Sequence, residues 1–214
     1  MNMNTNPHPG QRAGIALLTL SLLSGCVSSL LPKPTATPAL FTLDDNAPVA
    51  AAAVPAPGAS APTLVVNAPK AAAGFGTSHI VYVRRMHEIE YFALNQWVDT
   101  PSNMLVPLMA HAVERTGAFR AVLSAPTAAT GRFRLDSELV RLQQDFSVVP
   151  SQVRFTLRAV LIDTASRSVV ARREFDARVA SKSDDPYGGV TAAQEATQRV
   201  LVDLATFCAE AATR

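Results

Sequence analysis

The sequence predicts an α/β fold, with an α+β arrangement as the alternative: a single domain in which two main helices pack on a mixed, largely antiparallel sheet. Apolar and polar residues alternate over residues 153–161 and again over 169–179. This alternation is the pattern of strands that have one buried and one solvent-facing side. Two other stretches, 101–117 and 187–212, repeat their apolar residues with the helical period.

The first half of the domain is predicted to contain three short strands and a helix. The strands fall on runs rich in β-branched and aromatic residues, at 64–66, 80–83 and 87–92. Thr100 and Pro101 indicate where the helix starts, because Thr is a favoured N-cap and Pro suits the first turn. Gly117 is expected to end that helix.

The second half is predicted to contain a short strand, three long strands and the last helix, which gives the order β-β-β-α-β-β-β-β-α. Residues 119–124 form the short strand, and the long strands begin near Phe133. Leu135 and Leu139 share one parity, whereas Leu142 has the other. A change of parity inside one strand predicts a β-bulge near Leu139–Val140.

The first 26 residues carry the pattern of a lipoprotein signal. Arg12 is the one fixed side-chain charge before an apolar run of nine residues, 15–23. Such a run reaches about 14 Å as a helix, too short for the ~30 Å hydrocarbon core of a bilayer, so a cleaved signal peptide is favoured over a permanent span.

The end of that signal resembles the bacterial lipobox, with Leu23 followed by Ser24, Gly25 and Cys26. In lipoproteins, this cysteine receives a diacylglyceryl group and fatty acyl chains such as palmitate, and the chain is cut just before it. The alternative is an ordinary cysteine near a cleaved signal. By resemblance to lipoprotein sorting, Val27, where an Asp would favour retention in the inner membrane, points to the outer membrane.

The chain is therefore predicted to have three parts. Residues 1–25 are the signal peptide, and residues 26–62 are a lipid-anchored Pro/Ala-rich tether with a short strand near 40–45. About fifteen residues of tether before that strand reach at most ~50 Å. Residues 63–214 are the globular domain. Cys208, the only other cysteine, falls on the apolar side of the last helix and is expected to be a buried hydrophobic residue rather than a redox site.

Composition and motifs exclude several classes of function. The net charge is only +2 and no run of Lys or Arg exceeds two residues, so nucleic-acid binding is not expected. The catalytic motifs of hydrolases, phosphate-binding loops and zinc enzymes are missing from the sequence. His79, His87 and His111 do not have metal-ligand spacing. We expect no enzyme, no cofactor and no metal.

Four residues are candidates for contact with a protein partner. Trp97, the only tryptophan, is either an interface anchor or a core residue at a strand-to-helix junction. Arg154, Arg158 and Arg172 have the even parity of their strands and, like Arg178, are predicted on one sheet face. That face is either a solvated polar surface or an electrostatic docking surface for an acidic partner.

The order and spacing of short motifs resemble the ABC-type transport auxiliary lipoprotein family. Behind the lipobox come Phe41-Thr42-Leu43-Asp44, then residues 64–66 and 80–82, and then the stretch 88–92 leading to residues 97–101. The remaining matches are Gly117-Ala118-Phe119, Phe133-Arg134-Leu135, Gln144-Asp145-Phe146 and a strand that ends near Phe175. The sequence departs from the family in having Phe41 where Tyr is usual and a longer insertion at 46–62.

The resemblance implies a non-catalytic outer-membrane lipoprotein that faces the periplasm. It would act as the docking component of an envelope lipid transport system and contact the MCE-domain lipid carrier of that system. A structural envelope lipoprotein without a transporter is the first alternative, and a periplasm-facing hydrolase is the second. The oligomeric state, including a homo-oligomer, stays open at this stage.

Overall fold

Nine strands and two helices make up the part of the chain that the structure describes, residues 36–44 and 56–213 of a computed structural model. The strands are β1 (Ala39–Phe41), β2 (Thr63–Val66), β3 (Lys70–Ala71), β4 (His79–Val83), β5 (Glu90–Trp97), β6 (Ala121–Ser124), β7 (Phe133–Asp145), β8 (Gln152–Asp163) and β9 (Ser168–Ala180). The helices are α1 (Pro101–Glu114) and α2 (Pro186–Ala212). The signal peptide, Cys26 and residues 45–55 of the insertion lie outside the described residues.

Strand β7 is the centre of the single sheet. On one side it pairs with β8, which pairs with β9, and both pairs are antiparallel. On its other side, β2, β3 and β4 lie end to end along β7, all parallel to it. Beyond this row, β6 is parallel to β2, β5 is antiparallel to β4, and β1 is parallel to β5. The predicted α/β class with a mixed sheet and two helices is confirmed.

The bulge predicted from parity is present in β7. The register with β8 shifts between Leu139 and Arg141, so that Leu139 opposes Leu157 and Leu142 opposes Phe155. Because of the extra residue, both leucines point to the same side of the sheet and are buried in the core. The bulge therefore keeps the leucines on both sides of it in the core.

Both helices cover one face of the sheet. Leu64 and Leu135 from the sheet, Leu105 from α1 and Leu204 from α2 are all fully buried in one hydrophobic cluster. Helix α1 begins as predicted, with Thr100 accepting a hydrogen bond from the backbone N–H of Asn103. Among the described residues, neither helix is long and apolar enough to cross a membrane.

The strand predicted near 40–45 exists, but it belongs to the globular unit. Strand β1 pairs with β5, Leu43 is buried in the core, and the side chain of Gln194 in α2 donates to the carbonyl of Thr42 and to Asp44 Oδ1. The compact unit starts at Pro38, before the expected boundary at residue 63. The partners of this segment are 56 residues away in β5 and up to 152 residues away in α2, so local composition did not reveal its attachment.

Candidate interaction surface

The face of β7, β8 and β9 that points away from the helices is polar, and we call it the open face. Its side chains alternate along the strands with those of the core. Its members on β7 are Arg134, Asp136, Glu138, Arg141, Gln143 and Asp145. Those on β8 are Gln152, Arg154, Thr156, Arg158 and Val160, and those on β9 are Arg172, Glu174, Asp176 and Arg178.

The middle of the open face is held by an arginine between two carboxylates. Arg158 donates to Glu138 on β7 at 2.7 Å and to Glu174 on β9 at 2.9 Å. The hydrogen bond to Glu174 and the charge of Glu138 raise the pKa of Arg158 further above its ordinary value. All three side chains are about half exposed, so solvent screens these ion pairs and they contribute little to stability.

A second charged cluster surrounds Asp176. Its carboxylate accepts from Arg154 Nε at 2.8 Å and from the hydroxyl of Thr156, and Arg178 Nε lies 3.6 Å away. Partial burial opposes ionisation of Asp176, but the bonds from Arg154 and Thr156 outweigh this effect and hold its pKa below the usual range. Asp176 is thus ionised, and its carboxylate interacts with Arg154, Thr156 and Arg178 on the open face.

The structure places the predicted candidates Arg154, Arg158 and Arg172 on this one face. Arg172 opposes Val160 in the register of β8 and β9, is exposed, and forms no ion pair with any described residue. Arg154 and Arg158 are already paired, so Arg172 is the candidate whose charge is directly available to a partner.

Trp97 lies in the core. It is 3% exposed, belongs to the main hydrophobic cluster, and lies beside Val153 and Ala193. Of the two interpretations of this residue, the core one describes its position, and Trp97 is not part of the surface. Its place at the end of β5, just before the cap of α1, explains why a large side chain is needed to fill the junction.

One end of the open face deepens into a trough of about 560 Å³ between the β4–β5 loop (84–89) and strands β7 to β9. The loop lies beside this end because β4 runs parallel to β7, with Val83 opposite Asp145. Four arginines line the trough: Arg85, Arg141, Arg154 and Arg178. Its acidic lining consists of Glu88 and Asp145.

Arg141 was not among the residues singled out from the sequence. It has odd parity, which places it on the core side of a regular strand, and only the bulge turns it to the open face. The parity change at Leu139–Val140 was the available signal, since a charged residue just after it has to leave the core.

The described residues contain no group of three or more His, Cys, Asp or Glu side chains that could hold a metal ion. His79 is exposed and shares a hydrogen bond with Thr77. Cys208 is fully buried, and this burial raises the pKa of its thiol to about 12, so it is protonated and unreactive at neutral pH. Several charged side chains of the open face are engaged in ion pairs with one another.

The chain belongs to the family described as ABC-type transport auxiliary lipoprotein component, whose pattern matches residues 41–205. The match starts at Phe41 in β1 and ends within α2, so it spans the whole sheet. The family resemblance drawn from the sequence is confirmed. The family is one of transport auxiliaries rather than of enzymes.

Solved structures share the fold at low sequence identity. The protein XCC0632 from Xanthomonas campestris superposes with a TM-score of 0.67 at 20% identity, covering 83% of this chain and 95% of that one. An uncharacterised protein gives a TM-score of 0.58 at 11% identity, covering 80% of this chain and 99% of that one. These likenesses show the fold alone. No curated protein matches the sequence.

Proposed function

We propose that this lipoprotein is the non-catalytic docking component of an envelope lipid transport system. In this proposal, lipid on Cys26 anchors the chain in the outer membrane, and the folded unit faces the periplasm. There its open face binds the MCE-domain carrier of the transport system. Family membership supports an auxiliary role in ABC-type transport.

The observation that carries the proposal is the uncovered open face. The helices cover most of the other face, whereas three long strands present a charged surface to solvent. Cross-strand ion pairs hold five of its side chains in place, so these lose little side-chain entropy when a partner binds. A rigid charged surface of this kind favours electrostatic recognition, which weakens as salt is added.

Site-specific crosslinking in cells tests the contact. A photoreactive amino acid at Arg172 on the open face should capture the MCE-domain protein. The matched control is Val202, which is exposed on α2 and lies on the opposite side of the sheet. A crosslink from position 172 but not from 202 supports the proposal.

Two results would contradict the docking proposal. Capture from position 202 alone would place the contact on the helices. Recovery of no transport component from either position would favour a structural lipoprotein without a transporter. Raising the salt concentration during pull-down from extracts should reduce recovery if charges on the open face make the contact.

The anchor is tested separately with Cys26→Ser. Radiolabelled palmitate should enter the wild-type chain and be absent from the variant, because acylation needs the thiol of that residue. In fractionated cells, the wild type should accompany the outer membrane and the variant should be released. Label that persists in Cys26→Ser would contradict the lipobox interpretation.

A further inference from the structure

The trough beside the β4–β5 loop contains a cation that the ion pairs of the open face leave unused. Arg154 and Arg178 share Asp176, and Arg85 lies 4.0 Å from Glu88. Arg141 differs, because its Nε is buried and has no hydrogen-bond partner among the described residues. Arg141 also forms no ion pair with any described residue, so of the four arginines that line the trough it is the one without a carboxylate partner. An anion bound in the trough would supply that partner.

The charge balance of the trough favours an anion. Its lining has four guanidinium groups against the two carboxylates of Glu88 and Asp145. The carboxylate of Asp145 accepts from the backbone N–H and hydroxyl of Ser147, at 2.8 and 2.6 Å. The Asp145 carboxylate is therefore already hydrogen-bonded within its own loop. A guanidinium presents paired N–H groups that match the oxygens of a phosphate or similar oxyanion.

Part of the lining of the trough is apolar. Ile89 and Met86 from the β4–β5 loop and Val140 from the bulge line the trough with Phe75. Gly74 has a φ of +88°, and its Cα lies so close to Ile89 that a Cβ would come within 3.0 Å of Ile89 Cδ1. A side chain at position 74 would therefore crowd Ile89, whereas Met86 on the same loop is 83% exposed to solvent.

We propose that the trough binds an oxyanion that carries an aliphatic chain, with the guanidinium of Arg141 as the main polar contact and Met86 and Ile89 against the chain. The bulge creates this site, since it brings Arg141 and Val140 to the open face together. The volume of about 560 Å³ lies within the usual range of small-molecule sites. The phosphate group comes either from a lipid or from free phosphate, and the experiment separates the two.

Calorimetric titration of the purified chain from residue 26 to 214, with Cys26→Ser so that no anchor competes, tests the site without any transport partner. Dodecyl phosphate is the probe, used below the concentration at which micelles form. Dodecyl maltoside carries the same chain without charge, and inorganic phosphate carries the charge without a chain. We expect dodecyl phosphate to bind more tightly than either.

Arg141→Gln should weaken binding of dodecyl phosphate by about tenfold or more, because one charged hydrogen-bonding partner is lost. Arg134→Gln is the matched control: it lies on the same strand and face, pairs with Asp136, and does not line the trough. This variant should bind like the parent chain. Met86→Ser should weaken dodecyl phosphate but leave inorganic phosphate unchanged.

Three results would overturn the proposal. Equal affinity of Arg141→Gln and Arg134→Gln for dodecyl phosphate would show that Arg141 does not bind the ligand. If dodecyl maltoside binds as tightly as dodecyl phosphate, the anion is not needed for binding. Equal binding of inorganic phosphate would reject the aliphatic chain and leave a free-phosphate site. If circular dichroism shows that Arg141→Gln is unfolded, Arg85→Gln replaces it, since Arg85 lines the same trough and is 83% exposed, so that its loss cannot disturb the core. This variant should also weaken dodecyl phosphate, and unchanged affinity would overturn the anion site.

Discussion

The two faces of strands β7 to β9 are made by alternate residues of the same strands, yet one is buried and apolar and the other is charged and exposed to solvent. Phe155 is fully buried under the helices, whereas its neighbour Arg154 lies on the open face in an ion pair with Asp176. Burial of an apolar side chain stabilises by about 1.5–3 kcal/mol, but a solvated ion pair contributes about 0–1 kcal/mol. The core face therefore carries most of the stability, and substitutions on the open face should cost the fold little.

Substitution of the neighbours Phe155 and Arg154 should give the largest difference in stability between the two faces. Phe155→Ala should lower the free energy of unfolding by about 3–5 kcal/mol, because it leaves a cavity under α2. Arg154→Gln should lower it by only about 1 kcal/mol, because its ion pair with Asp176 is still partly exposed to solvent. Urea unfolding followed by circular dichroism measures both, and equal losses would contradict the division of roles.

Cys208 reports on how tightly the core side is closed. In the Cys26→Ser chain it is the only thiol, and it should react with a thiol reagent at least about a hundredfold more slowly in the native state than in urea, since labelling needs local opening. Rapid labelling of the native chain would mean that α2 separates readily from the sheet.

The same thiol gives a pH dependence of stability. Its pKa is raised to about 12 in the folded chain, above the value of about 8.5 expected when unfolded. Folding therefore favours the protonated form. The stabilisation that comes from this raised pKa is complete below about pH 8.5 and is lost as the pH rises toward 12. The free energy of unfolding should fall over that window, and Cys208→Ala should lack this component.

A smaller effect is expected where the core face holds a polar side chain. Gln144 is buried, and its Nε2 donates to Ser151 Oγ at 3.0 Å and to the carbonyl of Asp185 at 3.2 Å. A Cβ on Gly189 would come within 2.1 Å of Gln144 Oε1. Gly189→Ala should thus displace this amide and cost about 1–3 kcal/mol in unfolding experiments.

Gly58→Ala provides the control for that substitution. No atom lies within 4 Å of the Cβ that it would add, so the melting temperature should not fall. A loss in Gly58→Ala as large as that in Gly189→Ala would show that the cost comes from the backbone rather than from contact with Gln144.

The smallest expected effect is at the centre of the open face. Arg158→Gln removes both ion pairs of this residue and should cost less than about 1 kcal/mol, because the side chains are solvated. The difference from the parent chain should shrink further in high salt. A loss that is large and independent of salt would mean that these pairs support the fold, and would weaken the contrast between the two faces.

The site could be predicted only in part. Parity placed Arg154, Arg158 and Arg172 on one face, because alternation is a local property of a strand. It could not show that Arg154 and Arg158 are already paired, since their partners, Asp176 for Arg154 and Glu138 and Glu174 for Arg158, come from neighbouring strands. To predict the trough, the sequence would have had to reveal three further features. These are the parallel register of β4 and β7, the position of the β4–β5 loop, and the direction of Arg141 after the bulge.

The sequence by itself determined the features that depend on neighbours in the chain. These are the alternation of the long strands, the bulge near Leu139–Val140, the cap of α1 at Thr100 and the apolar side of α2 that buries Cys208. Each follows from the period of a strand or helix, or from hydrogen bonds within a few residues.

Only the tertiary structure decided which strands pair and what the pairs enclose. It attached β1 to β5, aligned three short strands along β7, buried Trp97 and turned Arg141 toward the trough. The physical reason is that backbone hydrogen bonds between strands are nearly independent of side-chain identity. Partner and register are instead selected by burial of the whole apolar face, which no short stretch of sequence contains.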